Sequence, residues 1–335
     1  MKVRWTRSAA VLTMSILVVG TISACGGPTS DDASGSKQHT IVLSKSHGVF
    51  QASDGLDNFV ERELHKAGYA TESLYLQESE DSVQAVVRGD ADFGETNPVA
   101  LTAAIGQGAP VVAIIGQSRP DYALVAPIDV KSPAELDGLR VGIHTKASTT
   151  ALLVNLALKN YPDVKPNILV VPGSANRILA MAAGELDASP IQYGDVEKLE
   201  ELAPGKFHVI LRYSAEVVDY IDGMVFTSVD TLKNKPELVE AYIRAVLKGS
   251  ADLYDEPERL VDVYAASLEG TSRDQAKEIA KIYLDAKVWI TDGGFTPETI
   301  AFTLDALKTT GLMPKPVTVE QYADLTILDR VRSGK

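Results

Sequence analysis

Cysteine and histidine are scarce in this sequence, which has one cysteine and five histidines among 335 residues. A single cysteine excludes a disulfide within the chain. The histidines are dispersed, without the close spacing that zinc sites use. There is also no Gly-x-Ser-x-Gly elbow, Walker loop or Gly-x-Gly-x-x-Gly sequence. The sequence therefore predicts no metal and no cofactor, and it favours binding over catalysis.

Basic residues are outnumbered as well, with 32 Lys and Arg against 45 Asp and Glu and a net charge of −13. A chain this acidic is a poor partner for nucleic acid and for an anionic lipid surface. We therefore expect no nucleic-acid partner. Attachment to a membrane must then come from a lipid rather than from surface charge.

The N-terminus has the anatomy of an export signal. Basic residues precede an apolar stretch from Ser8 to Gly20, which is too short for a stable membrane span. The stretch ends in ISAC, a sequence that resembles a bacterial lipobox with Cys25 as the lipidated residue. We expect residues 1–24 to be a removable signal peptide, residues 25–37 a flexible tether, and the mature protein to be extracytoplasmic and lipid-anchored. The alternative is an ordinary secretory signal with a stray cysteine.

Two segments of the remaining chain repeat one order of elements. Each begins with an apolar strand, at Thr40 and at Leu139, and continues through a polar loop, a helix, a strand and a second helix. Each then reaches a glycine before an acidic turn, at Gly89 and at Gly184. This order favours two α/β lobes, each with a parallel sheet covered by helices, over a coincidence between unrelated segments.

Two connections are expected to join the lobes, near Tyr122–Pro127 and near Gly223–Thr227, with the hinge at Ala126 and Gly223. Residues 38–125 and 222–335 would then form lobe 1, and residues 126–221 would form lobe 2. The end of the chain is predicted to be helical and to complete lobe 1. In such sheets ligands bind at the carboxyl ends of the strands, so the polar loops after the strands are the candidate site.

Four stretches carry a resemblance to a known family: residues 87–94 (VRGDADFG), 132–143 (SPAELDGLRVGI), 180–188 (AMAAGELDA) and 226–242 (FTSVDTLKNKPELVEAY). The chain resembles the substrate-binding proteins of ABC importers, in the branch that serves nitrate, alkanesulfonates, taurine, pyrimidine precursors and aromatic carboxylates. The resemblance implies a two-lobed type II periplasmic-binding-protein fold with two crossing strands and a ligand cleft between the lobes. It also implies a small-molecule solute, a membrane permease with its ATPase as partners, and a monomer.

In the first lobe, the candidate ligand-binding residues are polar side chains that follow predicted strands. His47 is expected to donate to a ligand oxygen, with a solvent-exposed histidine as the alternative. Arg119 would donate two parallel hydrogen bonds to a carboxylate or sulfonate, unless it pairs with Asp121 instead. The candidates of this lobe are Ser44, Ser46, His47, Thr96, Asn97, Gln117 and Arg119.

In the second lobe, three hydroxyls lie at a predicted helix start, where free N–H groups favour an anion, although helix capping alone explains one of them. Tyr193 would stack on the ligand, with edge-strand packing as the alternative. Asp222 and Gly223 are also expected near the cleft. The candidates of this lobe are Ser148, Thr149, Thr150, Gln192 and Tyr193.

Four cations are available for an anionic ligand: Lys45, Arg119, Lys146 and Arg177. We therefore expect a small anion, namely an aromatic carboxylate, an alkanesulfonate or a nitrate-like ion. The alternatives are a pyrimidine-type heterocycle as ligand, an enzyme of the same fold that resembles a pyrimidine-precursor synthase, and a solute sensor.

Overall fold

The computed structural model describes residues 39–146 and 148–334. The expected signal peptide, the tether and Cys25 lie outside the described residues. Within the described part of the chain there are ten β-strands and fourteen α-helices, besides two short 3-10 turns. None of the helices in these ranges is long and apolar enough to span a bilayer.

The strands alternate with helices along most of the chain and form two groups. Their bounds are β1 Thr40–Lys45, β2 Ala70–Tyr75, β3 Phe93–Thr96, β4 Val111–Ser118, β5 Tyr122–Pro127, β6 Arg140–Ile143, β7 Asn167–Val170, β8 Ser189–Gln192, β9 Phe207–Arg212 and β10 Gly223–Ser228.

After β10 the remaining elements of the described chain are all helices, as the sequence predicted. Their bounds are α1 Asp57–Lys66, α2 Ser79–Arg88, α3 Pro98–Gly106, α4 Thr149–Leu158, α5 Ser174–Ala182, α6 Tyr193–Leu202, α7 Tyr213–Glu216, α8 Val229–Asn234, α9 Pro236–Asp255, α10 Pro257–Ser267, α11 Arg273–Asp285, α12 Pro297–Thr309, α13 Val319–Tyr322 and α14 Thr326–Arg332.

The first sheet has the order β2-β1-β3-β10-β4. Strand β1 runs parallel to β2 and β3, whereas β10 runs antiparallel to both β3 and β4. The sheet is therefore mixed rather than all parallel. Strand β4 ends this order, yet it is buried along almost its whole length and reads as the apolar run VVAII.

The second group of strands repeats this arrangement. Strand β6 runs parallel to β7, and a bridge from Val141 to Ala188 joins it to the start of β8. Strand β5 then runs antiparallel to both β8 and β9. The resulting order β7-β6-β8-β5-β9 matches the first sheet strand for strand, with β5 in the place of β10.

Two glycines end the equivalent helices of the two halves. Gly89 follows α2 with a φ of 79°, and Gly184 follows α5 with a φ of 74°. Only glycine takes this left-handed conformation without steric cost, and it closes a helix C-terminus. The acidic turn after each glycine then leads directly into β3 or β8.

The structure corrects the expected first crossing between the lobes. Tyr122–Pro127 is the central strand of the second sheet, because its residues pair with β8 on one side and β9 on the other. The chain thus leaves the first sheet at Ser118 and enters the second at Tyr122. Ala126 consequently lies inside a sheet and not at a hinge. On the return path, the chain leaves β9 at Arg212 and re-enters the first sheet at Gly223.

The helices after β10 complete the first lobe. Helix α9 packs against α1 and β4, and α13 and α14 also contact β4. Two of these helices reach the second lobe, since α11 contacts α6 and α12 contacts α4. The largest apolar cluster is accordingly continuous from the first sheet, through the ring of Tyr283, to the ring of Tyr193 in α6.

Candidate functional site

A cavity of about 550 Å³ lies where the loops of the two lobes face each other. It collects the loops that follow β1, β3 and β4 in the first sheet and β6, β7 and β8 in the second. Nine of the residues that the sequence singled out line it: Ser46, His47, Thr96, Asn97, Gln117, Ser148, Thr149, Thr150 and Gln192. Their place in this cleft follows from the position of their loops at the carboxyl ends of the strands.

Three other candidates do not face the cleft, and for these the prediction is wrong. Ser44 is fully buried, and its hydroxyl is hydrogen-bonded to Ser82 at 2.9 Å. Tyr193 is also fully buried, with its hydroxyl 2.8 Å from Ser214 Oγ. Arg119 lines a different cavity, where its guanidinium donates to the carbonyl of Lys287 at 3.3 Å.

The cations expected to hold an anion are not available in the cleft either. Lys45 is fully buried, and its Nζ lies 2.6 Å from both Asp57 and Glu95. Lys146 is exposed and lies outside the cavity lining. Arg177 does line the cavity, but it is 2% exposed and donates to Ser189 Oγ.

Arg177 makes its remaining contacts with backbone oxygens. Its two terminal nitrogens donate to the carbonyls of Val171 and Pro190 at 3.3 and 3.5 Å. Burial lowers its pKa from the usual range. Its guanidinium therefore supports the ends of β7 and β8, and it leaves little donor capacity for a ligand.

Carboxylates dominate the charge of the cleft. Among the described residues, seven acidic side chains line the cavity, against Arg177 as the one Lys or Arg. The acidic residues are Asp54, Asp57, Glu78, Glu80, Glu95, Asp121 and Asp222. The positive ends of α2, α3, α4 and α5 offset part of this charge, since each helix N-terminus carries about half an elementary charge.

Asp121 is a buried carboxylate in the crossing between β4 and β5. Its side chain accepts hydrogen bonds from the Tyr283 hydroxyl at 2.7 Å and from the Gln192 amide at 3.2 Å. Burial raises the pKa of Asp121 to about 6, although both hydrogen bonds act in the opposite direction. The same Gln192 amide also donates to Gln51 Oε1 at 3.3 Å, so this cluster joins residues of both lobes.

Asp222 lies directly before β10, at the return crossing. It accepts from Thr149 and Tyr220, each at 3.3 Å. Burial and the neighbouring charge of Asp121 raise the pKa of Asp222 to about 7. The cleft thus holds two carboxyl groups whose pKa values are raised toward neutral, which is typical of a functional site.

A second acidic cluster surrounds Lys45 at the base of the first-lobe loops. Burial and the neighbouring charges of Glu95 and Asp54 raise the pKa of Asp57 well above its usual range, against the effect of Lys45. The pKa of Asp54 is lowered in spite of burial, because Lys45 and a hydrogen bond with His47 favour its charged form. The nitrogen Nε2 of His47 lies 2.8 Å from Asp54. His47 is therefore held by a carboxylate and does not project freely from its loop.

The three hydroxyls at the start of α4 are used within the protein. Ser148 donates to the carbonyl of Thr145 at 2.7 Å, and Thr150 accepts from the backbone N–H of His144 at 2.8 Å. Thr149 donates to Asp222. Their arrangement therefore gives less support to an anion than the sequence indicated.

One polar group of the first lobe keeps its hydrogen-bonding capacity for a ligand. The Thr96 hydroxyl is buried and has no partner among the described residues, yet Thr96 lines the cavity. The neighbouring Glu95 carries a buried oxygen, Oε1, that also has no hydrogen-bond partner in the described ranges. Such groups are costly unless something satisfies them, so they mark a place for ligand donors and acceptors.

Several lining residues were not predicted. They include Gln51, Asp121, Tyr122, His144 and Trp289. Asp121 carried a detectable signal, because it is a lone carboxylate between two apolar strands. Trp289 carried none, since it reaches the cleft from the segment between α11 and α12, where no strand precedes it. The described residues contain no group of three or more His, Cys, Asp or Glu side chains that could hold a metal ion.

Comparison with known sequences identifies the family. The family described as NMT1/THI5 like matches residues 66–260, which is more than half of the chain. The chain belongs to this family. A protein of Brucella abortus (strain 2308) that is named as a binding protein is 24% identical over 249 residues, which cover 72% of this chain and 76% of that protein.

Solved structures share the fold. The ligand-binding component of an ABC-type import system from Staphylococcus aureus has a TM-score of 0.69 at 14% identity, covering 87% of this chain and 98% of that one. The periplasmic aliphatic sulphonate-binding protein of Escherichia coli has a TM-score of 0.67 at 15% identity, covering 85% and 92%. The expected fold, with two lobes and a cleft between them, is confirmed.

Proposed function

We propose that this chain is the solute-binding protein of an ABC importer and that its solute is neutral or positively charged, with nitrogen donors. The observation that carries the proposal is the cleft itself. Two lobes of one repeated topology place polar side chains from both halves around a single cavity of about 550 Å³. A cavity of this size suits a small molecule.

The charge of the cleft decides the class of solute. A carboxylate or sulfonate would face seven acidic side chains, three of which surround the buried Lys45. The one guanidinium among the described lining residues is bound to Ser189 and to backbone oxygens. Donation of N–H groups to Asp121 and Asp222 would instead satisfy acceptors that are already partly desolvated. The small anion expected from the sequence does not meet this requirement, whereas the alternative, a pyrimidine-type heterocycle, meets it when it carries amino groups. Tyr122 and Trp289 in the lining supply flat apolar contacts for such a ring.

Capture takes place by closure of the lobes. The Gln192 amide donates both to Asp121 at the first crossing and to Gln51 of the first lobe. A solute held between Asp121 and Asp222 would touch both crossings, and closure would complete its contacts with Thr96 and the start of α4. No reaction is required of these groups, so the proposed function is binding without catalysis.

A lipid anchor would hold the binding protein at the membrane that contains its permease. Cys25 would carry the acyl chains, and residues 26–37 would let the binding protein reach the permease. Two acyl chains provide stable anchoring, whereas one chain gives only marginal binding. Replacing Cys25 by serine should move the protein from the membrane fraction to the soluble fraction and impair uptake while its solute affinity is unchanged. Retention of Cys25→Ser in the membrane fraction would contradict the lipid anchor.

A thermal-melting screen with matched pairs of compounds tests the solute class. Benzamidine and benzoate share a ring and differ in the sign of their charge, and 4-aminopyrimidine can be compared with ethanesulfonate and nitrate, which are anions without N–H donors. A ligand that binds the folded state raises the melting temperature by mass action. We expect the amidine and the aminopyrimidine to raise it at pH 7.5. A rise with benzoate, ethanesulfonate or nitrate instead would contradict the proposal.

A further inference from the structure

A second groove, separate from the cleft, concentrates the opposite charge. This cavity of about 600 Å³ lies beside both crossings and shares no lining residue with the cleft. In the described part of the chain, four cations line it, against Asp285 as the one carboxylate. The cations are Arg119, Arg212, Lys281 and Lys287. In a chain with a net charge of −13, this clustering is a local reversal of the overall sign.

Most of these cations have no carboxylate partner among the described residues. Lys281 pairs with Asp285 at 2.8 Å. Arg212 lies over the ring of Tyr193 at 5.5 Å, which fixes its guanidinium without neutralising it. Arg119 donates only to the carbonyl of Lys287, and its Nε is buried without a hydrogen-bond partner in the described ranges. An unpaired buried N–H of a charged group is costly unless a ligand oxygen accepts from it.

Lys287 lies just after the C-terminus of α11, in the left-handed conformation that commonly ends a helix. Lys287 has a φ of 49°, and it is the one described residue other than glycine with a positive φ. A side chain in this conformation costs about 1 kcal/mol or more, and glycine is the usual residue after a helix end. A lysine here complements the C-terminus of α11, yet that effect does not explain Arg119 and Arg212, which come from other elements.

We propose that this groove binds a small oxyanion. Carboxylate or phosphate oxygens would accept from the guanidinium groups of Arg119 and Arg212, which line the groove, with Lys287 providing further charge. Arg212 ends β9 of the second sheet, whereas Lys281 and Lys287 lie on and after α11 of the first lobe. A bound anion would therefore bridge the lobes at their connections, and by linkage it would alter the affinity of the cleft for its solute.

Titration with inorganic phosphate tests this groove. Backbone amide resonances would be followed by NMR while phosphate replaces chloride at constant ionic strength. We expect saturable shifts at Arg119, Arg212 and Lys287. Arg119→Gln and Arg212→Gln should each raise the Kd of phosphate about tenfold, the loss expected for one charge-assisted hydrogen bond.

Two variants serve as controls. Arg244→Gln removes an exposed arginine that pairs with Glu240 on α9. Arg244 is not among the residues that line the groove. Asp222→Asn alters the cleft and leaves the groove intact. Both should bind phosphate as the unmodified protein does, whatever the outcome of the solute screen. If Arg119→Gln fails to fold, Arg212→Gln decides alone, because the side chain of Arg212 is exposed. Absence of saturable binding, or equal binding by the groove variants, would overturn the proposal.

Discussion

Replacing Asp222 by asparagine should stabilise the unliganded protein at alkaline pH. Burial and the charge of Asp121 raise the pKa of Asp222 from its usual 3.8 to about 7. Above pH 7 the folded state therefore holds an ionised carboxylate that the unfolded chain solvates better. The difference between the two pKa values is worth about 4 kcal/mol. Because Asp222 is only partly buried, water in the cleft screens part of this cost, and we expect a gain of about 2 kcal/mol.

The sign of the pH dependence follows from the raised pKa. Below pH 4 the carboxyl group is protonated in both states, so Asp222→Asn should have almost no effect. Between about pH 4 and pH 7 the folded state holds the proton more tightly than the unfolded chain does. The advantage of the variant should therefore grow over this range and stay constant above it.

Urea unfolding at pH 4, 6 and 8 measures this directly. Asp187→Asn is the matched control, because Asp187 pairs with Arg140 at 2.6 Å and the hydrogen bond from Arg140 lowers its pKa. That control should lose stability, which is the opposite sign, and the loss should be nearly the same at all three pH values because a lowered pKa confines the titration of Asp187 to below about pH 4. A gain for Asp222→Asn that is the same at all three pH values, or a loss at pH 8, would refute the reasoning.

Three further substitutions test other parts of the structure. Lys45→Met should lower the free energy of unfolding by about 3 kcal/mol or more, because it leaves a buried acidic cluster without its cation; an unchanged urea midpoint would count against that cluster. Gly94→Ala should lower the free energy of unfolding by about 1 to 3 kcal/mol, since the added Cβ would lie 2.8 Å from Ser44 Oγ and would clash with the ring of Phe226. A urea midpoint equal to that of the unmodified protein would show that the strands can shift to make room. Asn97→Ala should cost about 1 kcal/mol by removing the N-cap of α3, and Asn97→Asp should retain most of that stability in the same assay.

The repeat was readable from the sequence because its signals are local. Polar loops follow apolar strands in both halves, and Gly89 and Gly184 mark the same turn after equivalent helices. These features depend on backbone geometry at one or two residues. They placed the loops correctly, and with them nine of the twelve candidate residues.

The direction of individual side chains was not readable, since it depends on burial on both faces of a sheet. Ser44 and Lys45 are adjacent at the end of β1, and both are fully buried. No alternation between apolar and polar residues separates a cleft-facing position from an internal one in such a strand. Tyr193 is similar, because its hydroxyl finds Ser214, a partner that only the fold brings near.

The charge of the cleft required the fold for the same reason. Lys45 and Arg119 are cations beside candidate loops, and the sequence alone counted both as available for an anion. The structure assigns one to a buried acidic cluster and the other to a separate groove. The carboxylates of Asp121 and Asp222 line one cavity only because the fold brings the two crossings to the same place.

Identifying the solute that accompanies the protein tests the central claim most directly. The protein would be isolated from the cells that make it naturally and analysed by native mass spectrometry, and the small molecule released on unfolding would be identified. We predict one bound molecule per chain, neutral or positively charged and with N–H donors for Asp121 and Asp222. A bound sulfonate, carboxylate or nitrate would contradict the account.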